Sequence, residues 1–120
     1  MKLSGQRVLL VEDEPIIGFA LEDMIIAEGA KTHFASSLDD ALELARSQVF
    51  DAALVDINLH GRESYPLARE LLKRNVAVVF ATGYGVEPLT GDLADVPAIA
   101  KPYDMPTIRA AFAGLAERAN

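Results

Sequence analysis

The feature that most constrains this chain is an alternation. Short apolar runs at Val8 to Val11, Thr32 to Ala35, Ala52 to Val55 and Val76 to Ala81 are separated by stretches whose apolar residues return with helical period. Pro15 to about Glu28 is the first such stretch, with Ile16, Ile17, Ala20, Leu21, Met24 and Ile25 at helical spacing and Gly29 as a stop. Ser37 is placed to cap a second helix through Arg46, with Asp39 and Asp40 in its first turn. A loop around Gly61 leads to a third helix from about Tyr65 to Arg74. Pro88, Gly91 and Pro97 punctuate the segment from Val86 to Val96, so a fourth helix there is expected to be short or irregular. A fifth strand, Ala98 to Ala100, follows Pro97 and suits a sheet edge. A last helix runs from about Met105 to Ala119, capped by Asp104 and burying Ile108, Ala111, Phe112 and Leu115.

Units of this kind give an α/β fold, a doubly wound parallel sheet with helices on both faces, and right-handed crossovers leave few arrangements for five strands. The flavodoxin-like (βα)5 order 2-1-3-4-5 is the expectation, in one domain spanning residues 1–120. With 18 acidic against 11 basic residues, the formal charge of -7 disfavours direct binding to nucleic acid or to an anionic membrane. The absence of cysteine removes disulfides, thiolate metal sites and thiol nucleophiles. No run approaches the roughly 18 apolar residues of a spanning helix, and the first residues lack a signal peptide's apolar core, so a cytoplasmic location is expected.

In a sheet of this order, ligands bind beyond the carboxyl ends of the strands. Strand one ends in Glu12-Asp13-Glu14, strand three in Asp56, strand four in Thr82 and strand five in Lys101-Pro102. Any of these alone reads blandly: a solvated acidic loop, a turn cap, a turn residue, a surface charge. Together at successive strand ends they define one crevice. Glu12, Asp13 and Asp56 in one pocket would repel each other and raise their pKa values unless a cation sits among them. All-oxygen donors with few carboxylates suit Mg2+, with Asp13 and Asp56 as direct ligands and Glu12 acting through water. Asp56, fixed by the apolar strand before it, is the candidate nucleophile for phosphoryl transfer. Thr82 and Lys101 are the candidate groups for stabilising charge on the phosphoryl oxygens. His33, on an edge strand, and His60, in the loop after Asp56, receive no catalytic role. Tyr65 and Tyr103 read as packing or surface aromatics.

These residues resemble the receiver domains of two-component response regulators over essentially the whole chain. Val11-Glu12-Asp13-Glu14-Pro15 is similar to the family's acidic metal cluster, Val55-Asp56-Ile57-Asn58-Leu59 to its phosphoacceptor segment, Ala81-Thr82-Gly83 to its switch hydroxyl, and Lys101-Pro102 to its lysine with a cis-proline. The resemblance implies Mg2+ ligation by the main-chain carbonyl of Asn58 and a cis bond before Pro102. It also implies self-catalysed phosphotransfer from a sensor histidine kinase or histidine phosphotransfer protein to Asp56, autodephosphorylation, and a signal passed to a downstream protein target. The strings Phe80-Ala81-Thr82-Gly83-Tyr84 and Tyr65-Pro66-Leu67-Ala68 further resemble a subgroup known by a Phe-Ala-Thr-Gly-aromatic motif, many of them stand-alone chains in general stress signalling. One departure is Ala98, three positions before Lys101, where receivers usually carry an aromatic switch residue; Tyr84 is the expected substitute. The weakened segment after Tyr84 is another.

Competing functions fit less well. Pro88 stands where a dinucleotide-binding loop beginning at Gly83 would need its third glycine. A flavodoxin-type carrier would need to cradle an FMN phosphate where three acids stand. An aspartate-dependent phosphohydrolase needs a general acid two residues after its nucleophile, where Asn58 stands and cannot relay a proton. A receiver-like binding module acting without phosphorylation remains the alternative reading, and the intact acidic pocket with Lys101 argues against it.

Overall fold

A computed structural model describes residues 1–83, 89–101 and 104–118. Tyr84, Gly85, Pro88, Pro102 and Tyr103 lie outside those residues, and with them the expectations attached to the aromatic reporter and the cis bond. Five strands form the main sheet: β1 Arg7–Val11, β2 Lys31–Ala35, β3 Ala52–Asp56, β4 Ala77–Thr82 and β5 Ala98–Ala100. All pair in parallel in the order β2-β1-β3-β4-β5, as the sequence predicts. The helices are α1 Pro15–Ala27, α2 Leu38–Ser47, α3 Tyr65–Lys73 and α4 Met105–Arg118.

The period of two along each strand splits the core into two layers. Leu9, Val11, Val55, Val78 and Phe80 face α2 and α3 and pack with Ala41, Ala45, Leu67 and Leu71. Val8, Leu10, Leu54, Val79 and Ala81 face the other way and pack with Leu21 and Ile25 of α1 and Ile108 and Phe112 of α4. Where the sequence predicts a short or irregular fourth helix, the described residues form η1, a single 3-10 turn at Gly91–Leu93. Leu93 is buried there, and Leu89 and Val96 pack partly onto the first layer.

Several boundaries move by a residue, each for a backbone reason. The sequence extends the third helix to Arg74 and starts the fourth strand at Val76. Instead Asn75, at φ 61°, ends α3: its N–H donates to Leu72 O at 3.1 Å and that of Val76 to Leu71 O at 3.0 Å. This is a Schellman close, which uses the Val76 donor before the sheet can. Gly29, at φ 90°, ends α1 in the same way, its N–H donating to Ile26 O and that of Ala30 to Ile25 O. At its other end β4 gains Thr82, because Lys101 N–H donates to Thr82 O at 2.9 Å and continues the pairing with β5. The predicted caps hold: Ser37 Oγ accepts from Asp40 N–H at 3.2 Å, and Asp104 Oδ1 from Thr107 N–H at 2.8 Å.

Only part of the helical apolar series of α1 faces inward. Leu21 and Ile25 are buried, but Ile16 is 85% exposed and Ala20 is also exposed. The helix is apolar on nearly every side, so period alone does not select its inward face. Gly18 does, because it is buried against β2, where a Cβ would stand 2.1 Å from Phe34 Cε2. Mid-helix, glycine to alanine ordinarily stabilises by about 1 kcal/mol, whereas overpacking costs roughly 1–3 kcal/mol. Gly18→Ala is therefore expected to lower the unfolding free energy in urea by about 1 kcal/mol, with the loss shrinking in a Phe34→Leu background.

Candidate functional site

The register of the sheet assembles the site. Val11 pairs with Val55, so Glu12 and Asp56 leave β1 and β3 at the same level. Asp56 pairs with Ala81 and Thr82 with Ala100, which sets Thr82 and Lys101 just beyond Asp56 on the neighbouring strands. A cavity of about 550 Å³ opens there, and Asp13, Asp56, Asn58, Thr82 and Lys101 line it together with Glu14 and Glu63. Glu12 lies beneath, wholly buried.

Lys101 ties the acids together. Its Nζ lies 2.7 Å from Glu12 Oε2 and 2.8 Å from Asp56 Oδ2. The other oxygen of Glu12 accepts the N–H of Glu14 at 3.2 Å, so this carboxylate is held at both ends. Oxygens of Glu12, Asp13 and Asp56 all lie within 4.8 Å of one another. Three carboxylates against one ammonium leave a formal charge of -2, and Glu14 and Glu63 on the rim add to it. All-oxygen donors, two of them buried and with a charge deficit of this size, fit a hard divalent cation such as Mg2+.

Burial pushes the Asp56 carboxyl above the usual aspartate value of 3.8. The hydrogen bond and charge of Lys101 pull the other way, while the charges of Glu12 and Asp13 add to the rise. For Lys101, burial favours the neutral amine, but hydrogen bonds and charges from Asp56 and Glu12 outweigh it and hold the ammonium above its usual value. Asp56 is thus a poised carboxylate and Lys101 a fixed cation.

The loop after β3 holds contacts that the sequence does not reveal. Asn58–Leu59 and Arg62–Glu63 pair as a small antiparallel hairpin where the sequence suggests only a loop. His60 and Gly61 both take positive φ, 52° and 82°, at its two-residue turn. Asn58 Oδ1 accepts from Gly61 N–H at 2.8 Å, and Asp13 Oδ2 accepts from His60 N–H at 3.0 Å. His60 therefore steadies Asp13 through its backbone. His33 is on edge strand β2 as predicted, edge-on to Phe50 at 5.6 Å between ring centroids, and its Nδ1 is buried without a hydrogen-bond partner. Tyr65 packs edge-on against Phe80 at 5.8 Å between ring centroids. Ser64, to which sequence reasoning gives no role, is fully buried and donates its hydroxyl to Asp56 O at 2.6 Å.

The raised Asp56 value has a thermodynamic sign. An acid whose folded pKa exceeds its unfolded one leaves the fold unpenalised below the unfolded value, and stability is lost as pH rises through the folded value. In a chelator at pH 7, Asp56→Asn is expected to melt at a higher temperature than wild type, with the gap closing as the pH falls towards 3.8. A lower melting temperature for the variant would mean that the Lys101 pair outweighs burial.

Comparison with known proteins agrees with this geometry. Residues 8–113 match the response regulator receiver domain family. Sporulation initiation phosphotransferase F of Bacillus subtilis is 25% identical over 89% of this chain and 90% of its own length. Some relatives are much longer: the chain spans only 9% of the sensor protein TorS of Escherichia coli, at 35% identity over 66% of this chain. The solution structure of SdrG from Sphingomonas melonis Fr1 superposes with a TM-score of 0.80 at 33% identity, covering 96% of this chain and 98% of that one. A BeF3-activated conformation of SdrG, recorded from Pseudomonas melonis Fr1, gives a TM-score of 0.76 at 32% identity over 93% of this chain and 97% of that one. With its acidic pocket, bridging lysine and five-stranded parallel sheet, this chain belongs to the response regulator receiver domain family.

Proposed function

We propose that the chain is a Mg2+-dependent phosphoacceptor whose nucleophile is Asp56 and whose donor is a phosphohistidine on a sensor histidine kinase or histidine phosphotransfer protein. The observation that carries this reading is the 2.8 Å contact of Lys101 Nζ with Asp56 Oδ2 inside a cavity bordered by Asp13 and Thr82. Asp13 and Asp56 would hold Mg2+ directly, Glu12 through water and Asn58 through its main-chain carbonyl; the bound ion would supply positive charge beside the transferring group.

In the transfer, an Asp56 carboxylate oxygen attacks phosphorus while the P–N bond to the donor imidazole breaks. The electron pair of that bond returns to the ring nitrogen, and an acyl phosphate forms on Asp56. The attacking form is the carboxylate, which needs no base to activate it. The Lys101 ammonium and the Thr82 hydroxyl then interact with the phosphoryl oxygens. Return by hydrolysis is slow, because the Asn58 amide cannot take a proton from the attacking water as a carboxylate would. The relationship to SdrG, solved in a BeF3-activated conformation, supports this reading, since a beryllium fluoride on a carboxylate imitates an acyl phosphate.

The modified pocket would act on a protein target through a change at Thr82 and Tyr84, in a cytoplasmic phosphorelay. The strings Phe80 to Tyr84 and Tyr65 to Ala68 support assignment to the Phe-Ala-Thr-Gly-aromatic subgroup. Among the described residues no helix is long and apolar enough to cross a membrane.

Phosphotransfer from candidate phosphorylated kinases is expected to label the wild type only with Mg2+ and to leave Asp56→Asn unlabelled. Equal labelling of the variant would refute the mechanism. Tyr84→Ala is expected to accept phosphate at the wild-type rate yet lose most of its phosphorylation-dependent binding to the target, as read in a pull-down or by calorimetry. Undiminished binding would remove Tyr84 from the switch.

A further inference from the structure

Ser64 stands immediately before α3, at the position where a serine ordinarily accepts a hydrogen bond from an N–H of the first turn. It makes no such cap. Its hydroxyl, fully buried, instead turns back across the hairpin and donates to the main-chain carbonyl of Asp56 at 2.6 Å. Its N–H donates to Ile57 O at 2.8 Å, and Ile57 N–H in turn donates to Ala81 O at 2.9 Å. One residue therefore clasps the far end of the 57–64 loop onto the peptide groups at its start. Between the two clasped ends lie Asn58, which lines the cavity, and His60, whose N–H holds Asp13.

We propose that Ser64 is a positioning residue for the phosphoacceptor site, fixing through its hydroxyl the backbone of Asp56 and the loop that aligns Asn58 and Asp13 for the cation. The proposal rests on the phosphoacceptor reading above. A serine kept merely for α3 would use its side chain on the helix. A serine kept merely for packing would leave the Asp56 carbonyl to another donor. The clasp acts on geometry: without it the carbonyl at the end of β3 is left buried and unpaired, and the loop is free to turn towards water and carry Asn58 with it.

The test sets Ser64→Ala beside Ser37→Ala, which removes the helix cap on α2 at a residue outside the cavity lining and serves as a control for general destabilisation. Melting temperature, Mg2+ affinity by calorimetry on the unphosphorylated proteins, and labelling from acetyl phosphate are measured for both. Loss of a group that supports metal ligands typically weakens the metal by 10- to 100-fold, and the lower end applies to a backbone contact. Ser64→Ala is expected to bind Mg2+ roughly tenfold more weakly and to label more slowly at saturating donor, while Ser37→Ala keeps wild-type affinity. If the two variants melt alike and bind Mg2+ alike, the proposal is overturned. Failure of the underlying reading looks different, because wild type and Asp56→Asn would then be equally unlabelled.

Discussion

Everything in this molecule is arranged around a repulsion between carboxylates that folding cannot avoid. The order β2-β1-β3-β4-β5 makes β1 and β3 neighbours, and their register brings Glu12 and Asp56 to the same level. Asp13 follows on the same turn, so a pocket built on the buried ends of the two central strands collects three negative charges. Lys101 from edge strand β5 reaches back to bridge two of them. Such a bridge adds little net stability, since removing charges from water offsets most of the attraction, but an unpaired buried carboxylate would be strongly unfavourable. The lysine is thus required by the fold before any phosphate arrives. The remaining formal charge of -2 is a standing demand for a divalent ion.

The layers of the fold were legible because strand and helix have different periods, and the alternation of apolar runs is written locally along the chain. What escaped is what depends on backbone donors. Asn75 closes α3 by turning the Val76 N–H onto Leu71 O, and only the left-handed conformation of that asparagine reveals it. The hairpin at Asn58 to Glu63 has strands of two residues each, too short to display alternation, although a histidine followed by glycine is compatible with a turn of two positive φ angles. In α1 the signal was present but ambiguous, because a helix apolar all round offers several inward faces. Gly18 against Phe34 selects one of them.

The site was legible to the extent that it sits at strand ends, where position along the chain translates directly into position in space. Asp13, Asp56, Thr82 and Lys101 all reach the cavity expected of them. Glu12 is buried below the cavity and held by Lys101 and Glu14, a restraint the sequence does not display. Ser64 and the His60 N–H were invisible because their partners, a carbonyl and a carboxylate, become neighbours only once the loop has closed. A serine two residues before a proline at a helix start gives no hint that its hydroxyl points backwards.

The same contacts restrict where a signal can travel. Thr82 O is bonded to Lys101 N–H, and Ile57 N–H to Ala81 O, so the backbone around Asp56 is stitched into the sheet up to Thr82. Moving that backbone would break ladder bonds, whereas turning a threonine side chain between staggered rotamers breaks none. Gly83 follows immediately, exposed and with open space where a Cβ would stand, so its value there does not lie in packing. On the proposed reading, phosphorylation would add roughly one to two negative charges at Asp56, and full reversal of a two-state surface would need about 5.5 kcal/mol of differential stabilisation. On the proposed reading, the Lys101 ammonium and the Thr82 hydroxyl, both lining the cavity, would convert that charge into a rotation. The ladder through Thr82 thus leaves side-chain rotation as the movement that costs no backbone bond.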